Sequence, residues 1–400
     1  MRLLTILILI STFVYAGQPV ALNGKFSKSV KCMKCHFHIV KEWKNSWHAK
    51  SHYENDEYFQ KSIDYMARKV RGKSIDTLKV QCAVCHNPRI SITRTTEEDE
   101  VAAQLKLKTH KPIENAVKSK DLNEGINCAV CHNVDKIHEN EDDSVRGVHL
   151  IDWLQAGKMS GPFDDAKSPY HQTYQRDFMT TDTNKLCLVC HANQRSIRGF
   201  VFSDTQKEYE QQKNPKLCVD CHMSEKKLGI ASTNKGPDGK PIKRMIRKHG
   251  FVGAHSPKLI KGALELSLKR VKNKLHIQLD NPNPHNVPTG YGGREIIIDI
   301  KFYDGKREID KTISLTSHYL SKRKKKTIPE CATEATEDMS IPAMGKKVYM
   351  VDIPVGLKQA VVTVSYRLVN DEIVKILDLK EPIWSEKMFV AKERLLLKKL

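Results

Sequence analysis

Cys32-Met-Lys-Cys35-His36 is the first of five copies of the pattern Cys-x-x-Cys-His in this chain of 400 residues. The other copies are Cys82-Ala-Val-Cys85-His86, Cys128-Ala-Val-Cys131-His132, Cys187-Leu-Val-Cys190-His191 and Cys218-Val-Asp-Cys221-His222. In c-type haem attachment the two thiols bond to the porphyrin vinyl groups, and the adjacent histidine ligates the iron. The sequence therefore predicts five covalently bound c-type haems. Their proximal ligands would be His36, His86, His132, His191 and His222.

Two other kinds of site use closely spaced cysteines, and the sequence argues against both. A zinc site needs paired motifs that close on one ion, and it does not need a histidine directly after every second cysteine. A dithiol oxidoreductase shows one Cys-x-x-Cys rather than five. The five motifs use ten of the eleven cysteines, which leaves Cys331 outside them. We expect Cys331 to be an unpaired thiol or an intermolecular site.

The composition fits a cofactor-rich, basic protein of two or three domains. Aromatic residues make up only 7% of the chain and charged residues 28%, so porphyrins would supply much of the apolar surface in the first half. The formal net charge is +20, and the two propionates of each haem would reduce it to about +10. The remaining excess favours acidic partners or anionic substrates, whereas no nucleic-acid module is visible.

Residues 1–16 are typical of a secretory signal peptide. Arg2 is basic, an apolar run follows to Tyr15, and Val14-Tyr15-Ala16 is a suitable cleavage site. The run is short for a membrane span, and an uncleaved anchor is the alternative. Haem attachment to cysteine pairs requires an oxidising compartment outside the cytoplasm. We therefore expect a bacterial periplasmic or cell-surface protein.

Several histidines outside the motifs are candidates for the second axial ligand of a haem. His48 and His52 lie four residues apart on a helix predicted after the first motif, and His48 is the stronger candidate. His249 and His255 are flanked by glycines, which let the backbone pass close to a haem face. His285 lies in a proline-rich loop between two predicted strands. For each of them the alternative is an ordinary histidine of a helix or surface loop.

The expected fold class is a mainly α cytochrome domain followed by an all-β sandwich. In residues 17–258, helices and loops would wrap around the haems without any sheet. From about Leu259, short runs alternate apolar and polar residues and are separated by turn signals. The runs are Ala263 to Arg270, Lys274 to Leu279, Glu295 to Tyr303, Val348 to Ile353 and Gln359 to Leu368. They predict a β-sandwich over residues 259–380.

Two further segments are basic. The tail, residues 381–400, is predicted to form an amphipathic helix that packs on the body, with attachment to a membrane surface as the alternative. The run Ser321-Lys322-Arg323-Lys324-Lys325-Lys326 is most simply a solvated loop, and docking of an acidic partner is the sharper hypothesis.

The chain resembles the bacterial multihaem c-type cytochromes related to the tetrahaem electron carriers of ammonia oxidisers and to hydroxylamine oxidoreductase. Besides the motifs, the resemblance rests on Trp43-x-x-Ser46-x-His48, Ser168-Pro169-Tyr170-His171 and the His249-Gly-Phe-Val-Gly segment. Several such cytochromes also carry a C-terminal β-domain with a His-x-x-Pro-Thr-Gly segment, which looks like the one from His285 to Gly290.

The resemblance implies that most haems are bis-histidine and lie in close stacked pairs. It implies that His48, His171, His249 and His285 are distal ligands, without assigning each to a haem. The chain lacks the Cys-x-x-Cys-Lys motif of pentahaem nitrite reductases, and it has fewer motifs than the hydroxylamine and tetrathionate enzymes of the group. These departures put catalysis in doubt and leave electron transfer intact.

Three hypotheses about function follow. The first is a periplasmic pentahaem electron carrier, because iron with two histidine ligands has no open position for substrate. The second is an oxidoreductase that acts on a small nitrogen or sulfur compound at one five-coordinate haem. In the third, which is compatible with the first, the β-domain docks the haem domain onto a quinol-linked membrane complex or another cytochrome. A homo-oligomer is also compatible with the sequence.

Overall fold

The protein is described here from a computed structural model. The structure describes residues 28–119, 123–139, 145–213 and 215–397. The predicted signal peptide, residues 1–16, lies outside the described residues. In the described part of the chain, no helix is long and apolar enough to cross a membrane.

The portion of the chain that carries the motifs combines short helices with short strands. The helices are α1 (Ser29–Cys32), α2 (Phe37–Lys44), α3 (Trp47–Lys50), α4 (Glu57–Lys69), α5 (Ile75–His86), α6 (Glu97–Gln104), α7 (Lys111–Val117), α8 (Cys128–His132), α9 (Thr183–His191), α10 (Thr205–Glu210) and α11 (Cys218–His222). The strands are β1 (Val134–Ile137), β2 (Ile151–Trp153), β3 (Lys158–Gly161), β4 (Gln172–Gln175), β5 (Gln194–Arg195), β6 (Val201–Ser203), β7 (Lys227–Lys235) and β8 (Pro241–Ile246).

Four of the motifs lie at the end of a helix, and the motif histidine is the last residue of that helix. These helices are α5, α8, α9 and α11. Residues at i, i+3 and i+4 share one face of a helix, so this conformation directs both cysteines and the histidine toward the same side. Side-chain caps fix where two of these helices begin. The Ser74 hydroxyl accepts the Thr77 N–H of α5, and the Asn127 side chain accepts the Ala129 N–H of α8.

The prediction of a mainly α haem region is wrong, because the chain as a whole is mixed, at 30% helix and 27% strand. Strands pair as β1–β2, β3–β4 and β5–β6 between the motif helices and as β7–β8 after the last of them, and β3–β4 is parallel. Most of these strands have only two to four residues, too few to show an alternating pattern in the sequence. They pair because backbone N–H and C=O groups enclosed by protein need partners.

The C-terminal portion is built mainly from antiparallel strands. Its elements are α12 (Pro257–Ile260), β9 (Glu265–Val271), β10 (Lys274–Asp280), β11 (Glu295–Tyr303), β12 (Glu308–Leu315), β13 (Tyr319–Leu320), β14 (Lys326–Thr327), β15 (Glu334–Ala335), β16 (Lys346–Asp352), β17 (Gln359–Arg367), α13 (Asp371–Leu377) and β18 (Met388–Leu396). The sheet orders are β12-β11-β17-β18, β16-β10-β9 and β14-β13-β15. Leu275, Ile277 and Leu279 of β10 lie in one apolar core with Ile298 and Phe302 of β11.

Two expectations for this portion are wrong. It is not all-β, since α12 and α13 interrupt the strands. The tail is not a helix either, because Met388–Leu396 pairs along β17 as a strand. Met388 and Val390 are buried while Phe389 between them is exposed, which is the two-residue period of a strand. The apolar and basic residues of the tail also fit the pattern of an amphipathic helix, so the sequence alone did not distinguish this short alternation from a helix.

The single helix predicted after the first motif is divided into α2 and α3. Ser46 has extended backbone and its hydroxyl accepts the Ala49 N–H, so it begins a new helix rather than continuing the first.

The motif-bearing portion and the C-terminal sheets share apolar packing. Ile63 and Met66 of α4 and Leu78 of α5 belong to the same buried cluster as the strand residues of β10 and β11. The Glu57 carboxylate at the start of α4 accepts the Trp384 indole N–H at 2.8 Å. The C-terminal sheets therefore form part of the wall against which α4 and α5 are positioned.

Candidate haem-binding sites

All five motifs face one cavity of about 3090 Å³. Its walls include the ten motif cysteines, the five motif histidines and the other candidate ligands His48, His171, His249, His255 and His285. We number the sites 1 to 5 by the order of their motifs. The walls are mainly apolar in character, as a porphyrin face requires.

Four motif histidines each face a second histidine across this cavity. The ring-centre separations are 6.5 Å for His36 and His171 (site 1), 6.3 Å for His132 and His249 (site 3), 6.3 Å for His191 and His48 (site 4), and 6.3 Å for His222 and His285 (site 5). Two imidazole nitrogens that bind one metal from opposite sides, each at about 2 Å, place their ring centres roughly 6 Å apart. The residues present therefore fit a bis-histidine haem at each of these sites.

Hydrogen bonds on the other ring nitrogen orient several of these imidazoles. Nδ1 of His36, His132 and His222 lies 2.7, 2.8 and 2.6 Å from the carbonyl oxygens of Ala231, Ser160 and Val252, respectively. A carbonyl only accepts, so Nδ1 carries the proton and donates it, which leaves Nε2 free to bind a metal.

Three of the four facing histidines receive similar support, whereas the buried Nδ1 of His48 has no hydrogen-bond partner. Nδ1 of His249 and His285 donates to the carbonyl oxygens of Arg247 and Asn286, at 3.1 and 2.9 Å. His171 Nδ1 lies 3.3 Å from the Thr173 hydroxyl.

Burial favours the neutral form of several candidate ligands. Burial lowers the pKa of His48 to about 3, and those of His191 and His249 to about 4. Neutral imidazole is the form that binds a metal, so these side chains are ready to ligate without losing a proton.

Site 2 differs from the other four. All 17 histidines of the sequence lie within the described residues, and none of them faces His86 at a comparable separation. The His86 ring instead stacks on Phe59, with ring centres 4.3 Å apart and planes inclined by 5°. Its Nδ1 lies 3.0 Å from the Ser51 hydroxyl.

Two sequence candidates are not brought opposite a motif histidine. His255 stacks on Trp47 at 3.8 Å, with Trp384 at its edge, and burial lowers its pKa to about 3. His52 is buried, and its Nδ1 accepts the Glu54 N–H at 3.1 Å. His255 lines the cavity and packs against α3, whereas His52 lies in the turn that follows α3.

Contacts between cysteines of different motifs give the spatial order of the sites. Cysteine side chains are close enough to interact for Cys32 and Cys128 (sites 1 and 3), Cys85 and Cys190 (sites 2 and 4), and Cys187 and Cys218 (sites 4 and 5). Cys131 of site 3 lies near both site 4 cysteines. Site 4 therefore adjoins sites 2, 3 and 5, and site 1 is reached through site 3.

Sequence reasoning missed a hydrogen-bonded group beside site 2. The Tyr58 hydroxyl contacts both carboxylate oxygens of Glu330, at 3.0 and 3.2 Å, and hydrogen-bonds to the Tyr291 hydroxyl. Tyr58 is more than 200 positions away from both Tyr291 and Glu330 in the sequence, so no local pattern could have joined the three residues. The only available signal was a glutamate next to an otherwise apolar, buried segment around Cys331.

The remaining basic and thiol candidates lie outside the cavity. Lys324 and Lys326 of the basic run pair with Glu334 and Glu372, while Lys322, Arg323 and Lys325 are exposed. Cys331 is buried, and burial raises its pKa to about 12. It is therefore protonated at neutral pH and packs as a small apolar side chain.

Comparisons with known proteins agree with this geometry. The family described as "Outer membrane cytochrome MtrC/MtrF-like, domains II/IV" matches residues 65–235. A penta-heme cytochrome c552 from Thermochromatium tepidum has a similar structure, with a TM-score of 0.68, 19% identity, and coverage of 92% of this chain and 98% of that chain. At this identity the likeness shows the fold alone.

Two further structures match weakly. A chicken interferon gamma receptor alpha chain covers 35% of this chain and 52% of its own, with 12% identity and a TM-score of 0.20. A superoxide reductase covers 34% and 89%, with 8% identity and a TM-score of 0.19. Scores this low carry no argument about function. No curated relative matches the chain.

Together, the motifs and the family match support a multihaem c-type cytochrome with covalently bound haems and an electron-transfer function, and the structural neighbour supports its fold. The family match is also consistent with an exported protein. The relation to hydroxylamine oxidoreductase stays a prediction.

Proposed function

We propose that this protein is a periplasmic pentahaem electron carrier in which sites 1, 3, 4 and 5 hold bis-histidine haems. The axial pairs are His36 with His171, His132 with His249, His191 with His48, and His222 with His285. The observation that carries the proposal is the set of four facing imidazole pairs at 6.3–6.5 Å.

These residues suit electron transfer because they leave the metal no open position. Haem iron supplies one-electron exchange when bound, and two histidine ligands give a lower potential than a methionine would. The protein's part is to hold the imidazoles rigidly and to exclude water from the cavity. The carbonyl partners of Nδ1 serve the first task, and the apolar walls serve the second.

The path through the molecule follows the cysteine contacts. Electrons entering at site 1 would pass through site 3 to site 4, and from there to site 2 or site 5. Close approach between attachment sites favours rapid exchange between them. The order 1–3–4 is not the order of the motifs in the sequence.

Low-temperature EPR and visible spectroscopy of the purified oxidised protein test this proposal. We expect low-spin signals with the character of bis-histidine ligation at four haems, and no CO binding to these four after reduction. A haem content below five per chain, or CO binding at two or more haems, would contradict the proposal.

A second candidate function rests on site 2. Because His86 faces no histidine, its haem would be the place where a small nitrogen or sulfur compound is reduced. A high-spin EPR signal, with binding of one CO per chain, would support this enzyme hypothesis. Turnover of nitrite, hydroxylamine or tetrathionate with a reduced dye would establish it, and the absence of both the open site and turnover would exclude it.

The proposed partners are a quinol-linked membrane complex or other cytochromes. The exposed Lys322, Arg323 and Lys325 support docking of an acidic partner on the C-terminal portion. We propose residues 17–258 as the haem domain and residues 259–380 as a domain that both docks the partner and supplies His285. Replacing the three exposed cations by glutamate should slow reduction by an acidic partner and leave the haem spectra unchanged.

A further inference from the structure

Three oxygen-bearing side chains from distant segments meet at the wall of the cavity beside site 2. Tyr58 lies in the first turn of α4, Tyr291 in the loop before β11, and Glu330 in the short 3₁₀ helix Pro329–Cys331. The Tyr58 hydroxyl joins the other two by hydrogen bonds, at 3.0 Å to the nearer Glu330 oxygen. Each of the three lines the cavity.

This group lies close to the attachment residues of site 2. Phe59, the neighbour of Tyr58 in α4, stacks directly on the His86 ring. Burial is the main reason that the pKa of the Cys82 thiol is raised, and the nearby Glu330 carboxylate raises it further. A charge on Glu330 and a charge on the haem of site 2 would therefore interact through a low-dielectric interior, where Coulomb interactions are strong.

The carboxyl group is enclosed without a cation to balance it. Within the described residues, Glu330 makes no ion pair with a lysine, arginine or histidine, and its side-chain partner is the Tyr58 hydroxyl. A carboxylate buried in this way favours its protonated form. Burial raises the pKa of Glu330 to about 7.

The other ionisable side chains around Glu330 contribute little charge that changes near neutral pH. Arg146 acts on Cys82, Arg198 on Cys331 and Arg294 on Tyr291. Tyr319 and Cys331 also interact with Glu330, and burial keeps both protonated at neutral pH because it raises their pKa values. Among the groups nearest to Glu330, the carboxyl itself is thus the one that changes protonation near neutral pH.

We propose that Glu330, with Tyr58 and Tyr291, is a proton-accepting site coupled to reduction at site 2. This inference rests on the proposed function only in that site 2 holds a haem. A haem held at site 2 by Cys82, Cys85 and His86 would supply the one-electron exchange, with the electron coming from a redox partner by way of site 4. One proton from solvent forms an O–H bond on the Glu330 carboxylate, and the reverse occurs on oxidation. The Tyr58 hydroxyl, which bridges Tyr291 and Glu330, offers the relay for that proton.

The coupling is reciprocal by thermodynamic linkage. An added electron makes the neighbourhood more negative, so Glu330 binds its proton more tightly. A bound proton, in turn, makes the electron easier to add. The potential of one haem should therefore fall as pH rises through the range around 7, while this group contributes nothing to the potentials of distant haems.

Redox-difference infrared spectroscopy of the intact holoprotein tests the proposal without any substitution. We expect the C=O stretch of a protonated carboxylic acid to appear on reduction and to disappear on reoxidation. Potentiometric titration at several pH values should show one haem whose potential falls with rising pH. Glu330→Gln should remove both the infrared band and the pH slope of that haem.

Glu100→Gln is the matched control. Glu100 is also a buried carboxylate, but it pairs with Lys73 at 2.9 Å. This variant should keep the infrared band and the pH slope. Tyr58→Phe should keep the stoichiometry of proton uptake and slow its rate.

A wild-type protein that shows no carboxylic acid band on reduction would overturn the proposal, and so would a pH slope that survives in Glu330→Gln. Haem content, measured by the pyridine haemochrome assay, separates this failure from that of the proposed function. Five haems without a pH-dependent potential would refute the proton site alone. Fewer than five would refute the pentahaem assignment.

Discussion

The clearest prediction at the scale of single residues concerns His249. Replacing it by methionine should put a thioether opposite His132 and raise the potential of the site 3 haem, because methionine ligation favours the reduced iron. The other four haems should keep their potentials. A spectroelectrochemical titration would measure this, with the methionine–iron charge-transfer band as the sign that the new ligand is bound.

His255→Phe is the control for that experiment. His255 is also enclosed and neutral, but it stacks on Trp47 instead of facing a motif histidine. Phenylalanine preserves the stacking and removes both ring nitrogens. The five haem spectra should therefore be unchanged. If this variant changes a haem spectrum, and His249→Met shows neither the charge-transfer band nor a raised potential, the assignment of distal ligands is wrong.

Glu330 also predicts how stability depends on pH. Its pKa is raised by burial to about 7, compared with about 4.3 in an unfolded chain. At pH values between these two pKa values, the native state binds more protons than the unfolded state, so the free energy of unfolding decreases as pH rises. The contribution is at most about 4 kcal/mol. Guanidinium midpoints at pH values below and above this range should differ less in Glu330→Gln than in the wild type.

Single residues show where sequence reasoning was sufficient. A motif contains its own proximal ligand, so His36 or His132 could be assigned from local spacing. A distal ligand comes from wherever the chain returns to the cavity. His48, His171, His249 and His285 could therefore be proposed without partners, and His255 could not be separated from them. The Tyr58–Glu330 contact joins residues 272 positions apart, and only the fold brings them together.

At the scale of an element, the loop between β10 and β11 determines the position of His285. Asn281 is buried, and its side-chain N–H groups donate to the carbonyls of His285, Ile341 and Pro342 at 2.9–3.0 Å. Asn281→Ala would leave buried carbonyl groups without a partner, which costs about 1–3 kcal/mol. We expect lower stability in guanidinium and a changed EPR signal at one haem, that of site 5.

Asn273→Ala is a suitable comparison, because Asn273 is exposed between β9 and β10. That variant should leave both the midpoint and the EPR spectrum within error of the wild type. Equal effects of the two changes would mean that the loop does not position His285 through Asn281.

Elements with a long, regular pattern could be predicted, and short ones could not. Glu295–Tyr303 forms a strand over the whole predicted run, because nine residues rich in isoleucine strongly favour an extended, buried strand. The pairs β1–β2 and β5–β6 have strands of two to four residues whose pairing depends on the surrounding enclosure. The tail became β18 because the edge of β17 was available for pairing, which is a property of the assembled sheet.

At the scale of the whole molecule, the arrangement of sites differs from their order in the sequence. Site 4 adjoins three other sites, whereas site 5 has site 4 as its cysteine contact. Motif spacing contains no information about this branching, since it arises from how α9 packs between α11 and the segments around α5 and α8. An electron moving between any two of sites 2, 3 and 5 should therefore pass through site 4.

His48→Met tests this branching. Methionine opposite His191 should raise the potential of the site 4 haem and make it a trap for electrons at the junction. A one-electron couple changes its equilibrium constant about tenfold per 59 mV, so escape from site 4 should slow by about tenfold or more. His285→Met makes the same chemical change at site 5, where it should trap an electron without delaying exchange among the other haems. Pulse radiolysis followed by time-resolved visible spectroscopy would measure both. If the two variants slow exchange between sites 2 and 3 equally, site 4 is not the junction, and the electrons follow another path through the cavity.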